Sequence, residues 1–184
     1  MDILVDLRLV PKGLRSMTRL VEGMGFRLKG VSPEGIGHRF ERDGLVIDLL
    51  APDGMGERAD IGTVGSAKAF TVRGGSWALP HVVSISVRLN GESGHLPVPD
   101  LPRAILLKAA ARDSLFKRDK DLEDLAFLLG LIEDAELLRN EYTRNELACM
   151  KRRTELLDPD NDAWDASLNP DNGLAVLRTL CRNA

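Results

Sequence analysis

The chain has 184 residues, 43% of them hydrophobic, which suffices for one domain, or for one domain with a helical appendage. Its 25 Lys and Arg residues against 28 Asp and Glu residues give a net charge of -3. This balance argues against a dedicated DNA-binding protein, because such domains usually carry a basic excess. No apolar run approaches the roughly 20 residues that a membrane span needs, and no signal-peptide pattern follows Met1. We therefore expect a cytoplasmic protein with no membrane partner.

The first half of the chain is predicted to form strands around one helix. Residues 2–10 are apolar-rich and predict a strand that ends at Pro11. Residues 13–24 carry apolar side chains at helical spacing. Three further short strands are predicted at 26–29, 37–42 and 45–50. Asp43-Gly44, between the last two, is typical of a two-residue hairpin turn.

The second half changes from strands to helices. Residues 51–80 are rich in glycine, and we expect a short helix within 59–69. A strand at 81–89, a turn at Asn90-Gly91 and a short return strand at 96–99 precede helices from about residue 101 onward. Strands followed by helices predict an α+β fold, with a small mixed sheet, flanking helices and a helical C-terminal half. We place the sheet region at 1–100 and the helical region at 101–184.

Asp48 is the most unusual charged residue of the predicted strands. It lies inside the apolar run Leu-Val-Ile-Asp-Leu-Leu, where a carboxylate is costly to bury without a partner. It is either a strand residue that faces solvent, or a ligand for a divalent metal or a base for a hydroxyl nucleophile. A metal needs more than one carboxylate, and Asp2 and Asp6 are the other candidates. Four residues apart on one strand, these two would share a face.

A basic and acidic cluster follows in the predicted helices. Lys108 and Arg112 are spaced i, i+4 and share a helix face, and Asp121 and Asp124 begin the next helix. The two aspartates either complement the helix dipole or orient Lys108 toward nucleotide phosphates. Gly74-Gly75-Ser76 is a weak phosphate-cradling pattern, and a plain loop is the simpler interpretation.

Four segments together resemble the nucleotidyltransferases of the DNA polymerase β-like superfamily, in particular the AbiEii-type branch found as toxins of toxin–antitoxin pairs. The likeness spans about residues 1–130. The segments are Asp2-Ile-Leu-Val-Asp6 with the helix that ends at Gly25-Phe26, Phe40–Leu50, Leu96–Arg112, and Arg118-Asp-Lys-Asp121-Leu-Glu-Asp124-Leu.

The resemblance implies a small mixed sheet with flanking helices and a site for Mg²⁺ and a nucleoside triphosphate. Asp48 matches the third catalytic aspartate, and Asp2 looks like the second member of the Asp-x-Asp pair. The first aspartate and the Gly-Ser turn would then precede Met1, so we expect this chain to transfer nucleotide weakly or not at all. The resemblance and the charge cluster together give three sets of site residues. They are Asp2, Asp48 and Lys108 for catalysis, Asp2 and Asp48 for the metal, and Lys108, Arg112, Arg118, Asp121 and Asp124 for the nucleotide.

Two functions follow from this pattern. The first is an enzyme that moves a nucleotide onto RNA, such as tRNA, or onto protein, in a toxin–antitoxin pair with an antitoxin protein as partner. The second is a protein of the same fold without catalysis that binds a nucleotide or a partner protein.

Overall fold

The protein has an α+β fold. The computed structural model describes residues 1–56, 59–113 and 119–182. Its contacts divide the chain into two compact units, Met1–Leu79 and Pro80–Ala184. Residues 80–100, placed by sequence with the sheet region, belong to the second unit.

The first unit is built on a mixed sheet of β1 (Asp2–Leu4), β2 (Arg27–Leu28), β3 (Arg39–Arg42), β4 (Leu45–Pro52) and β5 (Phe70–Val72). The strand order is β1-β4-β3-β2, and β5 also pairs with β4. β4 is parallel to β1 and β5 and antiparallel to β3, which in turn is antiparallel to β2. β4 is therefore the strand on which the sheet is organised. The helices of this unit are α1 (Gly13–Gly23) and α2 (Gly75–Ala78).

The predicted hairpin between β3 and β4 is present, and its turn chemistry explains its register. Asp43 has φ 50° and Gly44 has φ 79°, so both take the left-handed conformation that a two-residue hairpin turn requires. Alternate β4 side chains then enter the core on the side of α1. The main apolar cluster of this unit comprises Leu7, Leu14, Val21, Phe26, Phe40, Ile47, Leu49, Ala51 and Ala69.

Two sequence predictions in the first unit are wrong. β1 ends at Leu4, so Asp6 does not continue the strand and instead accepts a hydrogen bond from the Arg8 backbone N–H at 3.0 Å. Apolar composition alone does not carry a strand beyond the last residue that finds a pairing partner. Within 59–69 the described residues form turns and isolated bridges rather than a helix.

The second unit begins with a two-stranded ribbon and continues with helices. Its second strand, β7 (Glu92–Pro99), is twice as long as the predicted strand at 96–99, because Gly94 continues the ladder instead of ending it. Asn90 (φ 51°) and Gly91 (φ 86°) form its turn. The elements are β6 (Val82–Leu89), β7 (Glu92–Pro99), α3 (Leu101–Ala111), α4 (Asp119–Leu129), α5 (Ala135–Glu141), α6 (Arg144–Lys151), the 3₁₀ turns Thr154–Leu157 and Asp162–Ala166, and α7 (Pro170–Cys181).

Capping side chains fix where several of these helices begin. Asp100 and Asp134 accept from the backbone N–H groups of Arg103 and Leu137, and Asn169 caps α7. Thr143 and Glu146 form the reciprocal capping box that their spacing indicates. Among the described residues, no helix has the length and apolar character that crossing a membrane would demand.

Candidate functional site

Two carboxylates lie side by side in the first unit. The parallel pairing of β1 and β4 sets Asp2 directly opposite Asp48. Residues in register on neighbouring strands project from the same face of a sheet. The structure therefore brings together the two residues that the sequence assigns to a metal.

Asp48 already has a strong partner on its other side. Arg39 of β3 is in register with Asp48, and its guanidinium donates through Nε at 2.8 Å and through Nη2 at 2.6 Å to the two carboxylate oxygens. Burial raises the pKa of Asp48, but the hydrogen bonds and charge of Arg39 outweigh it and hold that pKa below its ordinary value. Asp48 is only 7% exposed and remains ionised at neutral pH.

The carboxylates of Asp2 and Asp48 are of the type that binds a hard divalent cation. Mg²⁺ prefers carboxylate oxygens, and it is commonly held by one or two carboxylates while keeping waters and substrate phosphates. Asp48 would have to exchange Arg39 for the cation. Within residues 1–56, 59–113 and 119–182, no cluster of three or more His, Cys, Asp and Glu side chains suits a metal, so the remaining ligands would come from water and phosphate.

His38 is the neighbouring group that can exchange a proton. Burial is the main reason that the pKa of His38 is lowered, although the charges of Asp48 and Asp2 oppose that shift. Its ring lies 5.6 Å from the ring of Phe70, centroid to centroid. A neutral imidazole is thus held near the two carboxylates and can accept a proton.

Lys108 is held by both predicted aspartates in the second unit. Its Nζ lies 2.6 Å from Asp124 Oδ2 and 3.5 Å from Asp121 Oδ1. The Asp121 side chain is 3% exposed, whereas that of Lys108 is 33% exposed. The ammonium is therefore oriented by buried charge and still reaches solvent, where a phosphate group can approach it.

Arg112 has protein partners of its own. Its guanidinium lies 3.5 Å from Glu155 and 3.9 Å from Asp119, and its side chain is largely buried. Arg118 lies outside the described residues. The site residues thus form two sets, Asp2 with Asp48 in the first unit and Lys108 with its aspartates in the second.

The sequence reasoning missed Arg39, although a signal for it was present. With Asp43-Gly44 as a two-residue turn, counting outward pairs Arg42 with Leu45 and, three positions further out, Arg39 with Asp48. The turn alone therefore predicts that a basic side chain is the cross-strand partner of the strand carboxylate.

The Gly74-Gly75-Ser76 turn is filled from within the protein. The N–H groups of Gly74 and Ser76 each donate to the Asp53 carboxylate at 3.0 Å. Gly74 has φ 79°, and a Cβ on Gly75 would lie 3.0 Å from the Pro52 Cα. An internal carboxylate occupies the N–H groups that a phosphate would use, so the turn is structural.

Asp53 makes the stability of the first unit depend on acid. Burial raises the pKa of Asp53, but hydrogen bonds from the Ser76 and Gly74 N–H groups keep it below its ordinary value. Its stabilising contribution is complete above about pH 4 and disappears as the pH falls through the lowered pKa.

We expect Asp53→Asn to lower the free energy of unfolding at pH 7, with the difference from the parent shrinking in acid. Urea denaturation between pH 7 and pH 3 measures this, and the exposed Asp160→Asn is the control. A difference that does not change with pH would contradict it.

Comparison of the chain with protein-family models, with curated proteins and with solved structures finds no match.

Proposed function

We propose that the protein is a nucleotidyltransferase of the DNA polymerase β-like superfamily, acting as the toxin of a toxin–antitoxin pair. The reaction is transfer of a nucleotide from a nucleoside triphosphate to RNA, such as tRNA, or to protein, with Mg²⁺, and we expect it to be weak in this chain. The observation that carries the proposal is the register that sets Asp2 beside Asp48 on adjacent parallel strands. Paired strand carboxylates are a means of holding a metal for phosphoryl transfer.

Each named residue has a role in this chemistry. Asp2 and Asp48 would hold Mg²⁺, which when bound neutralises charge on the triphosphate and on the leaving pyrophosphate. Lys108 would pair with phosphate oxygens, and Asp121 and Asp124 orient its ammonium before the nucleotide arrives. Preorganised charge of this kind needs no rearrangement when the substrate binds.

A second candidate is the same fold without catalysis, used to bind a nucleotide or a partner protein such as an antitoxin. The bidentate pair of Arg39 and Asp48 favours it, because this pair satisfies the buried carboxylate without a metal. In that case Asp48 stabilises the sheet and Lys108 is the main contact for phosphate.

A labelling experiment separates the two candidates. The purified chain is incubated with each α-³²P nucleoside triphosphate and Mg²⁺, with bulk tRNA or bulk protein as the acceptor. Label that enters an acceptor, and that EDTA abolishes, supports the transferase. Nucleotide binding by calorimetry without transfer supports the binding protein. Neither transfer nor nucleotide binding would contradict the transferase and any nucleotide-binding role, and would leave only the binding of a partner protein.

Lys108 provides the matching prediction. We expect Lys108→Ala to reduce nucleoside triphosphate affinity by about tenfold or more, because it removes a charge-assisted phosphate contact. We expect Lys108→Arg to retain much of that affinity, since the positive charge is kept. Calorimetric titration with each triphosphate and Mg²⁺ measures the change.

The control is Lys120→Ala, which removes the same charge from an exposed position at the start of α4. Because Asp121 is buried, Lys108→Ala also costs stability, so the thermal unfolding of each variant is recorded alongside. Parental affinity in folded Lys108→Ala would mean that Lys108 only neutralises the two aspartates.

A further inference from the structure

The outward face of α1 carries a row of positive charge. Lys12, Arg15 and Arg19 are exposed and recur at helical spacing. The opposite face is buried, and Leu14 and Val21 pack there into the core of the first unit. An α-helix rises about 1.5 Å per residue, so the three cations form a row about 10 Å long. This row stands out in a chain whose net charge is -3.

Two arginines continue the positive charge at the C-terminal end of α1. Arg27 Nη1 donates to the Glu22 carbonyl at 3.1 Å, and Arg42 Nη1 donates to the Met24 carbonyl. The carbonyl end of a helix carries partial negative charge, which these guanidinium groups offset. Asp43 lies 3.5 Å from Arg42 Nε but is 87% exposed, so water screens this pair. We call the following residues the basic track: Lys12, Arg15, Arg19, Arg27 and Arg42.

Carboxylates neutralise only part of the track. Asp60 accepts from Arg15 Nε at 2.8 Å, and the Arg15 side chain is 43% exposed. Because a guanidinium has five N–H donors, the Nη groups of Arg15 can still donate to a phosphate. Glu22, the carboxylate of α1, is half-buried. In the part of the chain that the structure describes, no carboxylate forms an ion pair with Lys12 or Arg19.

We propose that the basic track binds the phosphate backbone of double-helical RNA. A row of positive charge suits a linear polyanion, and Arg suits phosphate because its planar fork donates two N–H groups at once. Proteins that bind single strands usually stack the bases on aromatic rings, whereas α1 has no aromatic side chain. The contacts are therefore to phosphates rather than to bases. The choice of RNA rests on the proposed function, in which RNA is one of the acceptors.

The track lies on the side of the sheet away from Asp48. Leu14 and Val21 of α1 pack in one core with Leu49, and successive strand residues point to opposite faces of a sheet. The track therefore anchors an RNA helix and does not contact the reacting groups. An RNA held by its double-helical part keeps its ends available for transfer, which favours RNA over protein as the acceptor.

Fluorescence anisotropy with a labelled RNA duplex of about 16 base pairs tests the proposal. We expect the affinity of the parent to fall steeply between roughly 50 and 200 mM salt, because bound phosphates release counterions. Lys12→Gln and Arg19→Gln should each weaken binding and reduce the slope of log affinity against log salt by about 1. Arg178→Gln is the matched control, since it removes the same charge from an exposed position of α7, and it should change neither quantity.

Circular dichroism establishes that each variant is folded. No binding of the RNA at about 50 mM salt would overturn the proposal. So would binding that survives when Lys12, Arg15 and Arg19 are all changed to Gln, or that Arg178→Gln weakens equally. Tighter binding to a DNA duplex of the same sequence, or to vesicles that contain phosphatidylserine, would also overturn it. None of these measurements requires transfer, so a chain that labels no acceptor leaves the proposal standing, and a chain that binds no RNA leaves transfer to protein open.

Discussion

We expect Asp48→Asn to lower the affinity of the protein for Mg²⁺ by about 100-fold or more, because changes even to groups that merely orient metal ligands cost 10–100-fold. The substitution keeps the shape of the side chain and removes its charge. Arg39 is left without its carboxylate, but its side chain is 45% exposed and water can solvate it. The free energy of unfolding should fall by about 1.5–3 kcal/mol, because Asn keeps an acceptor for Arg39 but loses the charge that strengthens the hydrogen bonds. Mn²⁺ binding followed by electron paramagnetic resonance measures the affinity without requiring activity.

Arg39→Ala should change metal affinity in the opposite direction. It frees both oxygens of Asp48 from hydrogen bonds at 2.8 and 2.6 Å, so a cation no longer has to displace a guanidinium. Hydrogen bonds to charged groups contribute about 1.5–3 kcal/mol, so roughly a tenfold gain in affinity is expected. Glu41→Gln is the control, since Glu41 is a β3 carboxylate that pairs with Lys29. Equal Mn²⁺ binding by the parent and Asp48→Asn would show that Asp48 serves only as the partner of Arg39.

The second large effect concerns folding, and we expect Asp113→Ala to destabilise the second unit by about 3–5 kcal/mol. Asp113 Oδ2 accepts a hydrogen bond from Arg152 Nη2 at 2.5 Å, and Asp113 Oδ1 accepts one from Arg153 Nη2. Arg153 is 4% exposed, so its charge would remain buried without this carboxylate. Because domains are stable by only about 5–15 kcal/mol, such a loss is a large part of the total.

Urea denaturation in a Trp77→Phe background, followed by the fluorescence of Trp164 in the second unit, measures the loss. Asp119→Ala is the matched control. Its carboxylate is 99% exposed and lies 3.9 Å from Arg112, so its removal should cost at most about 1 kcal/mol. A loss at Asp113 no larger than at Asp119 would mean that water reaches Arg153 after the substitution.

The acid dependence of this contribution has a definite sign. Burial raises the pKa of Asp113, but the two arginines hold it below its ordinary value. The stabilisation is therefore complete above about pH 4 and is lost as the pH falls through the lowered pKa. The difference between the parent and Asp113→Ala should accordingly shrink in acid.

Local sequence signals predicted the elements that depend on neighbouring residues. The Asp43-Gly44 and Asn90-Gly91 turns and the periodicity of α1 all arise from contacts within a few residues. They could be predicted because turn residues and helical spacing act locally. The α+β fold class follows from the order of such elements.

Pairing over long distances in the sequence was less accessible. The strand predicted over 2–10 ends at Leu4, β5 was not predicted, and α5 was not predicted as a separate helix. The length of a strand depends on which partner it finds, and Phe70–Val72 is a strand because it pairs with β4. Composition carries no record of that partner.

The candidate site shows the same difference between local sequence signals and long-range contacts. By itself, the sequence determined that Asp48 is a carboxylate in an apolar strand and that Lys108 lies near two aspartates, because these facts depend on residue type and local spacing. Only the tertiary structure decided that Asp2 stands beside Asp48. It also decided that Asp53, rather than a phosphate, fills the Gly74-Gly75-Ser76 turn. Each of these contacts joins segments distant in sequence or depends on strand register, and the packing of the whole sheet fixes both.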